Sequence, residues 1–445
     1  MPRLAVGTVQ PQADSQVITW ALMQALRQCG RDIQHFAGRA VLPRTDGATP
    51  ITGVASRYLD SWVMSPEVCQ SLFLRAAGQC DLAVVEGAFV PCGAGQQAAG
   101  GQLDTLCHWL GLPRLAVIDV QRLSPCLLPT APAGIEGVLL DRIADEAQLA
   151  RWQTTFESFW GVPVLGALDS CAEARWQIAQ LPPGSRPLTN VCEALGERFL
   201  ARSKLARILA LAERPFSPCG SIEAYCRCHA HGRLRVGVAY DPAFQGYFAD
   251  TLELLEQGGA EVVAFSPLAD ETLPEDIDLV YLGDAQLEPY AAALAENQCM
   301  LLAIRSWVCC GGAVYAEGGG LAYLCDRVEM ADGVTHALAG ALPAEARHYP
   351  SRNVAEPCEL VLPRDTWLGE AGARLRGYRD ANWQILLSPQ PGVTAHPEES
   401  PCLVLRRGLI GSLAQIDFAA QPALMSRFFC PARAGLRFSP SQVVL

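Results

Sequence analysis

Short apolar runs recur along this chain with amphipathic stretches between them, an alternation that dictates parallel strands covered by helices. Residues 4–7, 81–86, 114–119, 137–141 and 163–166 read as strands, and 17–29, closed by Gly30, as a helix. Further helices are predicted over 102–110 and 146–160. A helical stretch over 195–211 then meets Pro215, Pro218 and Gly220, and the pattern restarts at 235–239. From there 247–256 reads as a helix and 261–265, 279–282 and 313–317 as strands. Beyond Gly333 the strands, including 359–362 and 409–416, lie further apart before a last helix near 422–429. Two tandem α/β domains follow, with residues 1–200 as the first, 201–232 as a linker and 233–445 as the second.

Charge narrows the partners. The net charge is −12, which excludes nucleic acid and anionic membrane as expected partners, because phosphate neutralisation needs concentrated positive charge. The first residues lack the pattern of a signal peptide and no apolar run is long enough to span a bilayer, so a cytoplasmic protein is expected. In that compartment the 18 cysteines are expected as reduced thiols packed as small hydrophobes. Positive charge is almost all arginine, with Lys204 the single lysine.

Several motifs then resemble one family. Val238-Ala-Tyr-Asp-Pro-Ala-Phe244, Gly259-Ala-Glu-Val-Val-Ala-Phe-Ser-Pro-Leu268, Leu273-Pro-Glu-Asp-Ile-Asp278, Val314-Tyr-Ala-Glu317 and Leu321-Ala-Tyr-Leu324 follow in the order and spacing of one domain. That run resembles the C-terminal glutamine amidotransferase domain of the cobyrinate a,c-diamide synthases. Gly7-Thr8, Leu59-Asp-Ser-Trp-Val-Met64, Val84-Val-Glu-Gly87 and Leu140-Asp-Arg142 resemble the same family's ATP-binding domain. The resemblance implies a P-loop, dethiobiotin-synthetase-like parallel sheet followed by a class I glutamine amidotransferase-like, flavodoxin-like domain. It also implies ATP- and Mg²⁺-dependent amidation of corrin carboxylates with ammonia drawn from glutamine.

The residues that such chemistry needs are altered. A phosphate loop needs glycines, a lysine for the β- and γ-phosphates and a Ser or Thr for Mg²⁺. Here it reads Gly7-Thr-Val-Gln-Pro-Gln-Ala-Asp-Ser15, with Asp14 near the lysine's place. Gly7, Thr8, Ser15 and Glu86 are the candidate remnants of a nucleotide site, Glu86 matching a family Mg²⁺ carboxylate. The segment Phe36-Ala-Gly-Arg-Ala-Val-Leu-Pro43 lacks the charged groups the family brings there. Arg175 matches a family arginine or is an exposed surface residue.

The second centre is altered in parallel. In Tyr315-Ala-Glu-Gly-Gly-Gly320 the family's nucleophilic cysteine position is Gly318, and in Ser412-Leu-Ala-Gln-Ile-Asp-Phe418 its basic histidine position is Gln415, with Asp417 in place of a second histidine. The oxyanion segment reads Leu282-Gly-Asp-Ala-Gln-Leu-Glu288. Cys309, Cys310 and Cys325 flank the turn and are expected as buried structural thiols. No catalytic residue and no cofactor are therefore expected.

A Cys/His cluster in the linker, Cys226, Cys228, His229 and His231, is a candidate site for a metal ion or a metal-tetrapyrrole. The leading expectation is a non-catalytic protein holding a corrinoid, another tetrapyrrole or a protein partner. The alternatives are an ATP-dependent amidase using free ammonia and a metal-handling protein. A homodimer is expected by family analogy.

Overall fold

The computed structural model describes residues 1–11, 13–89, 100–124, 128–182, 184–215, 234–349, 355–388, 394–396 and 402–428. The chain divides between Tyr225 and Cys226 into two compact units.

The first unit is built on a seven-stranded sheet ordered Arg57–Tyr58, Ile33–Ala37, Leu82–Ala88, Arg3–Thr8, Arg114–Asp119, Ile135–Ile143, Val164–Asp169. Every pairing in it is parallel. A parallel sheet is covered on both faces, so its strands carry near-continuous apolar runs; Leu4, Ala5 and Val6 are each 0–1 % exposed. Arg3–Thr8 lies mid-sheet with later strands added on both sides of it, which makes its carboxyl end a topological switch point. Helices Gln16–Gln28 and Thr189–Leu200 pack together, burying Trp20, Leu22, Leu195 and Phe199 with the sheet's apolar side chains. The expected single helix over 195–211 is two, since Leu205–Ala212 follows as a separate helix whose Leu205, Ile208 and Ala212 join this core. The stretch from 201, expected as linker, thus begins as part of the first unit.

The second unit holds a seven-stranded sheet ordered Glu261–Phe265, Arg235–Ala239, Leu279–Leu282, Ala313–Glu317, Leu409–Ser412, Leu403–Arg406, Thr394–His396. Its first four pairings are parallel and its last two antiparallel. Beside it stand a four-stranded sheet and a three-stranded sheet of Glu356–Val361, Arg374–Arg379 and Ala414–Gln415. The run 409–416, expected as one strand, is two strands in different sheets. At the switch Ser412 Oγ accepts the Ala414 N–H at 2.9 Å and donates to the Ala414 carbonyl at 2.8 Å, a local side-chain bond that competes with the ladder. Among the described residues no helix is long and apolar enough to cross a membrane.

Candidate functional site

In the first unit the carboxyl ends of the central strands collect Thr8, Glu86, Asp119 and Asp141. Gln10, Asp14 and Ser15 of the loop after Thr8 are bonded by the protein itself. Gln10 donates to the Asp119 carbonyl at 3.1 Å and accepts the Asp119 N–H at 2.7 Å, so its side chain mimics a backbone rung against the neighbouring strand. Ser15 donates to Glu86 Oε1 at 2.8 Å, and His35 Nε2 lies 3.3 Å from Glu86 Oε2. Asp14 Oδ1 accepts the Gln16 N–H at 2.8 Å, at the start of helix Gln16–Gln28.

A free helix N-terminus offers its amides and partial positive charge to an anion. Here the protein's own Asp14 carboxyl takes one of those amides. The Ser15 hydroxyl is likewise committed to Glu86. These residues do not fit a Mg²⁺-bound triphosphate.

Beside them Asp141, wholly buried, receives Arg175 Nη2 at 2.5 Å, while Arg175 Nε donates to the Ser170 carbonyl at 3.0 Å. Arg175 is therefore a largely buried partner of Asp141, not the exposed residue of the alternative above. Burial raises the Asp141 carboxyl to about 6, against the pull of Arg175 and Arg142. Arg122 and Arg142 each approach Asp119 Oδ2 at 3.3 Å.

In the second unit strand Ala313–Glu317 turns directly into helix Gly318–Tyr323. The turn residue Gly318 has φ +47°, a conformation that favours glycine. A β-carbon there would collide with Asp284 Oδ1 and lie 2.9 Å from its Cγ. Asp284 Oδ1 accepts the Gly319 N–H at 2.9 Å, and its Oδ2 accepts from Gln415 Nε2 at 3.0 Å. The carboxylate thus fills the space into which a side chain at 318 would project, bridging the turn to Gln415. It is held there by the short strand Asp284–Ala285, which pairs antiparallel with Phe244–Gly246. Tyr247 supports this pairing, its hydroxyl accepting the Gly283 N–H at 3.0 Å and donating to the Ala239 carbonyl.

Two more carboxyl groups lie under the turn. Glu317 Oε1 accepts from Tyr315 Oη at 2.8 Å and from the Ile416 N–H at 3.1 Å, leaving Oε2 without a partner among the described residues. Asp417 Oδ1 accepts from Thr251 Oγ1 at 3.2 Å and from the Ala419 N–H at 3.0 Å, leaving Oδ2 without one among the described residues. Burial is the main cause that pushes Glu317 up to about 8 and Asp417 up to about 7. Asp284 is raised too, by burial and then by Asp380. A protonated carboxyl is the cheaper form in such surroundings.

The structure brings Gly318 and Gln415 together, as the motifs implied, and adds Asp284 between them. Sequence reasoning placed Asp284 only within an altered segment; an acidic residue where the resemblance implies glycine was the available signal. Cys325 is buried as expected, but begins strand Cys325–Glu329, while Cys309 and Cys310 are exposed at the end of helix Gln298–Cys309, contrary to expectation. Cys226, Cys228, His229 and His231 lie outside the described residues. Among the described residues no group of three His, Cys, Asp or Glu side chains could hold a metal ion.

Residues 235–378 match the CobB/CobQ-like glutamine amidotransferase domain. The cobyrinate a,c-diamide synthase of Magnetococcus marinus is 30 % identical over 372 residues, covering 79 % of this chain and 78 % of the relative. This chain belongs to the cobyrinate a,c-diamide synthase family. The cobyrinate a,c-diamide synthase of Syntrophotalea carbinolica is 29 % identical, covering 96 % of this chain and 98 % of its own. That of Salmonella typhimurium is 28 % identical, covering 94 % and 95 %.

Proposed function

We propose that this member of the cobyrinate a,c-diamide synthase family has kept the two-domain fold and lost both halves of the reaction, serving to bind a corrinoid or a related tetrapyrrole. The observation that carries the proposal is the Asp284 carboxylate seated between Gly318 and Gln415. Glutamine hydrolysis of the family's kind needs a thiolate at the turn and a base to receive its proton. Glycine has no nucleophile, and the Gln415 amide is already donating to Asp284 and is no base at neutral pH. Loss of either partner of such a dyad costs about a millionfold. In the first unit Asp14 supports the same reading, since it replaces a cation with an anion at the helix start.

A fold kept without its chemistry fits a binding role. The arginine-rich charge complement suits propionate and acetate groups, which guanidinium holds through paired hydrogen bonds. Titrating the full chain with hydrogenobyrinate, cobyrinate or haem, followed by absorbance and calorimetry, is expected to give saturable binding to one of them. Flat titrations with all three would remove the tetrapyrrole reading and leave a protein partner as the ligand class.

One second reading is an ATP-dependent amidase fed by free ammonia, which needs no cysteine at 318 but requires Ser15 and Glu86 at the carboxyl end of the central strands to release each other. Saturable Mg·ATP binding would distinguish it.

A further inference from the structure

Strand Ile135–Ile143 ends on a β-bulge. Between Leu140 and Ile143 it takes three residue steps while its neighbour takes two, from Ala167 to Asp169. Bulges re-aim a side chain and recur beside ligand sites. Here the re-aimed residue is Arg142, whose φ of +62° is a left-handed conformation that arginine rarely adopts. Asp119 lies directly beside Asp141 in the next strand, so regular alternation would send Arg142 to the sheet face opposite both. Instead the Arg142 N–H donates to Asp141 Oδ1 at 2.9 Å, and its Nε lies 3.3 Å from Asp119 Oδ2.

A second guanidinium meets the same oxygen. Asp119 Oδ1 accepts the Gln121 N–H at 3.0 Å, which shapes the turn Val120–Arg122 and leaves Arg122 Nε 3.3 Å from Oδ2. Among the described residues Asp119 is the one anionic partner of both arginines. A guanidinium carries several N–H donors in a fixed fork, and a single shared oxygen cannot take them all. Arg175, by contrast, is spent on buried Asp141 and the Ser170 carbonyl. The side chains of Arg122 and Arg142 remain 46 % and 32 % exposed, anchored yet reachable from solvent. Two guanidinium charges against one carboxylate leave a single unit of positive charge at the pair, which matches a carboxylate better than a doubly charged phosphate.

We propose that Arg122 and Arg142 are a twin-guanidinium clamp for a carboxylate of a ligand bound outside the carboxyl ends of the first unit's strands, with Asp119 holding the two arginines side by side. Open α/β sheets take their ligands at this edge. A guanidinium fork holds a carboxylate through two parallel hydrogen bonds, and forks already fixed on one oxygen lose little freedom when they do so. The clamp rests on the binding role proposed above and names the groups that carry it in this unit.

The test is a titration of the full chain with cobyrinate and with haem, each also as its methyl ester, comparing the unmutated chain with R122A and R142G. Glycine accepts φ +62° without strain, so R142G removes the guanidinium and keeps the bulge. The Kd for the free acid is expected to rise about tenfold to a hundredfold in each variant, while any binding of the ester is the same in all three proteins. Failure takes two distinguishable forms. Flat titrations of the unmutated chain remove the binding role itself, and the clamp with it. Saturable binding with the same Kd in R122A and R142G, or weakened equally for acid and ester, overturns the clamp and leaves that role standing. Displacement of the bound acid by inorganic phosphate but not by acetate, at equal ionic strength, overturns the assignment to a carboxylate.

Discussion

Gln415 Nε2 donates to Asp284 Oδ2 at 3.0 Å, across 131 residues of sequence, and Asp284 in turn receives the amide next to Gly318 at 2.9 Å. The side-chain volume at the turn is therefore occupied by the protein itself. Introducing a cysteine by G318C places a β-carbon against Asp284 and a non-glycine residue at φ +47°. Its expected cost is about 2 kcal/mol, read from the urea midpoint. Adding D284G should recover part of that loss by removing the collision. Equal midpoints for G318C and the unmutated chain would show that the carboxylate moves aside freely.

Stability of the second unit should fall as pH rises toward 8. Glu317 at about 8 and Asp417 at about 7 stand above their ordinary values, so the folded state holds more protons than the unfolded one in this range. Their stabilisation is fully present below about pH 4 and is lost as pH passes through the folded values. Urea midpoints measured from pH 5 to 8.5 should decline, with a shallower slope in E317Q. A midpoint that rises over this range, or an unchanged slope in E317Q, would contradict the assignment.

Much of the fold was legible because parallel strands are buried on both faces. Residues 114–119, 279–282 and 313–317 were expected as strands and are strands with those bounds. Ile33–Ala37 escaped because Gln34 and His35 interrupt its apolar run; both are buried, and Gln34 is satisfied by the carbonyls of His35 and Ala55. The two helices around 201–204 merged into one expectation because Arg202, Ser203 and Lys204 continue a helical pattern with neither Gly nor Pro to break it. At the site, Gly318 and Gln415 were legible from local motifs. Asp284 showed only as an acidic residue in an altered segment, since its role depends on a contact that no spacing along the chain encodes.

The buried pair of Asp141 and Arg175 offers a separate test in the first unit. R175A leaves a buried carboxylate without its nearest cation, for an expected loss of about 3 kcal/mol at pH 8. The loss should shrink toward pH 5, because Asp141 then takes up a proton. Thermal or urea unfolding of the variant at both pH values checks this; a pH-independent loss would assign the effect to packing.

At the loop after Thr8, calorimetric titration with Mg·ATP should show no saturable heat up to about 1 mM, the concentration at which binding free energy falls to about −4 kcal/mol. D14A, which frees the Gln16 amide and removes the negative charge, should bind inorganic phosphate or ATP more strongly than the unmutated chain. Identical titrations would show that Asp14 does not guard the helix start.

Glutamate release from glutamine by the purified full chain, with Mg·ATP and cobyrinate present, is the most direct measurement. A rate equal to the protein-free blank is predicted at every glutamine concentration. A saturable rate that scales with protein concentration would contradict the account.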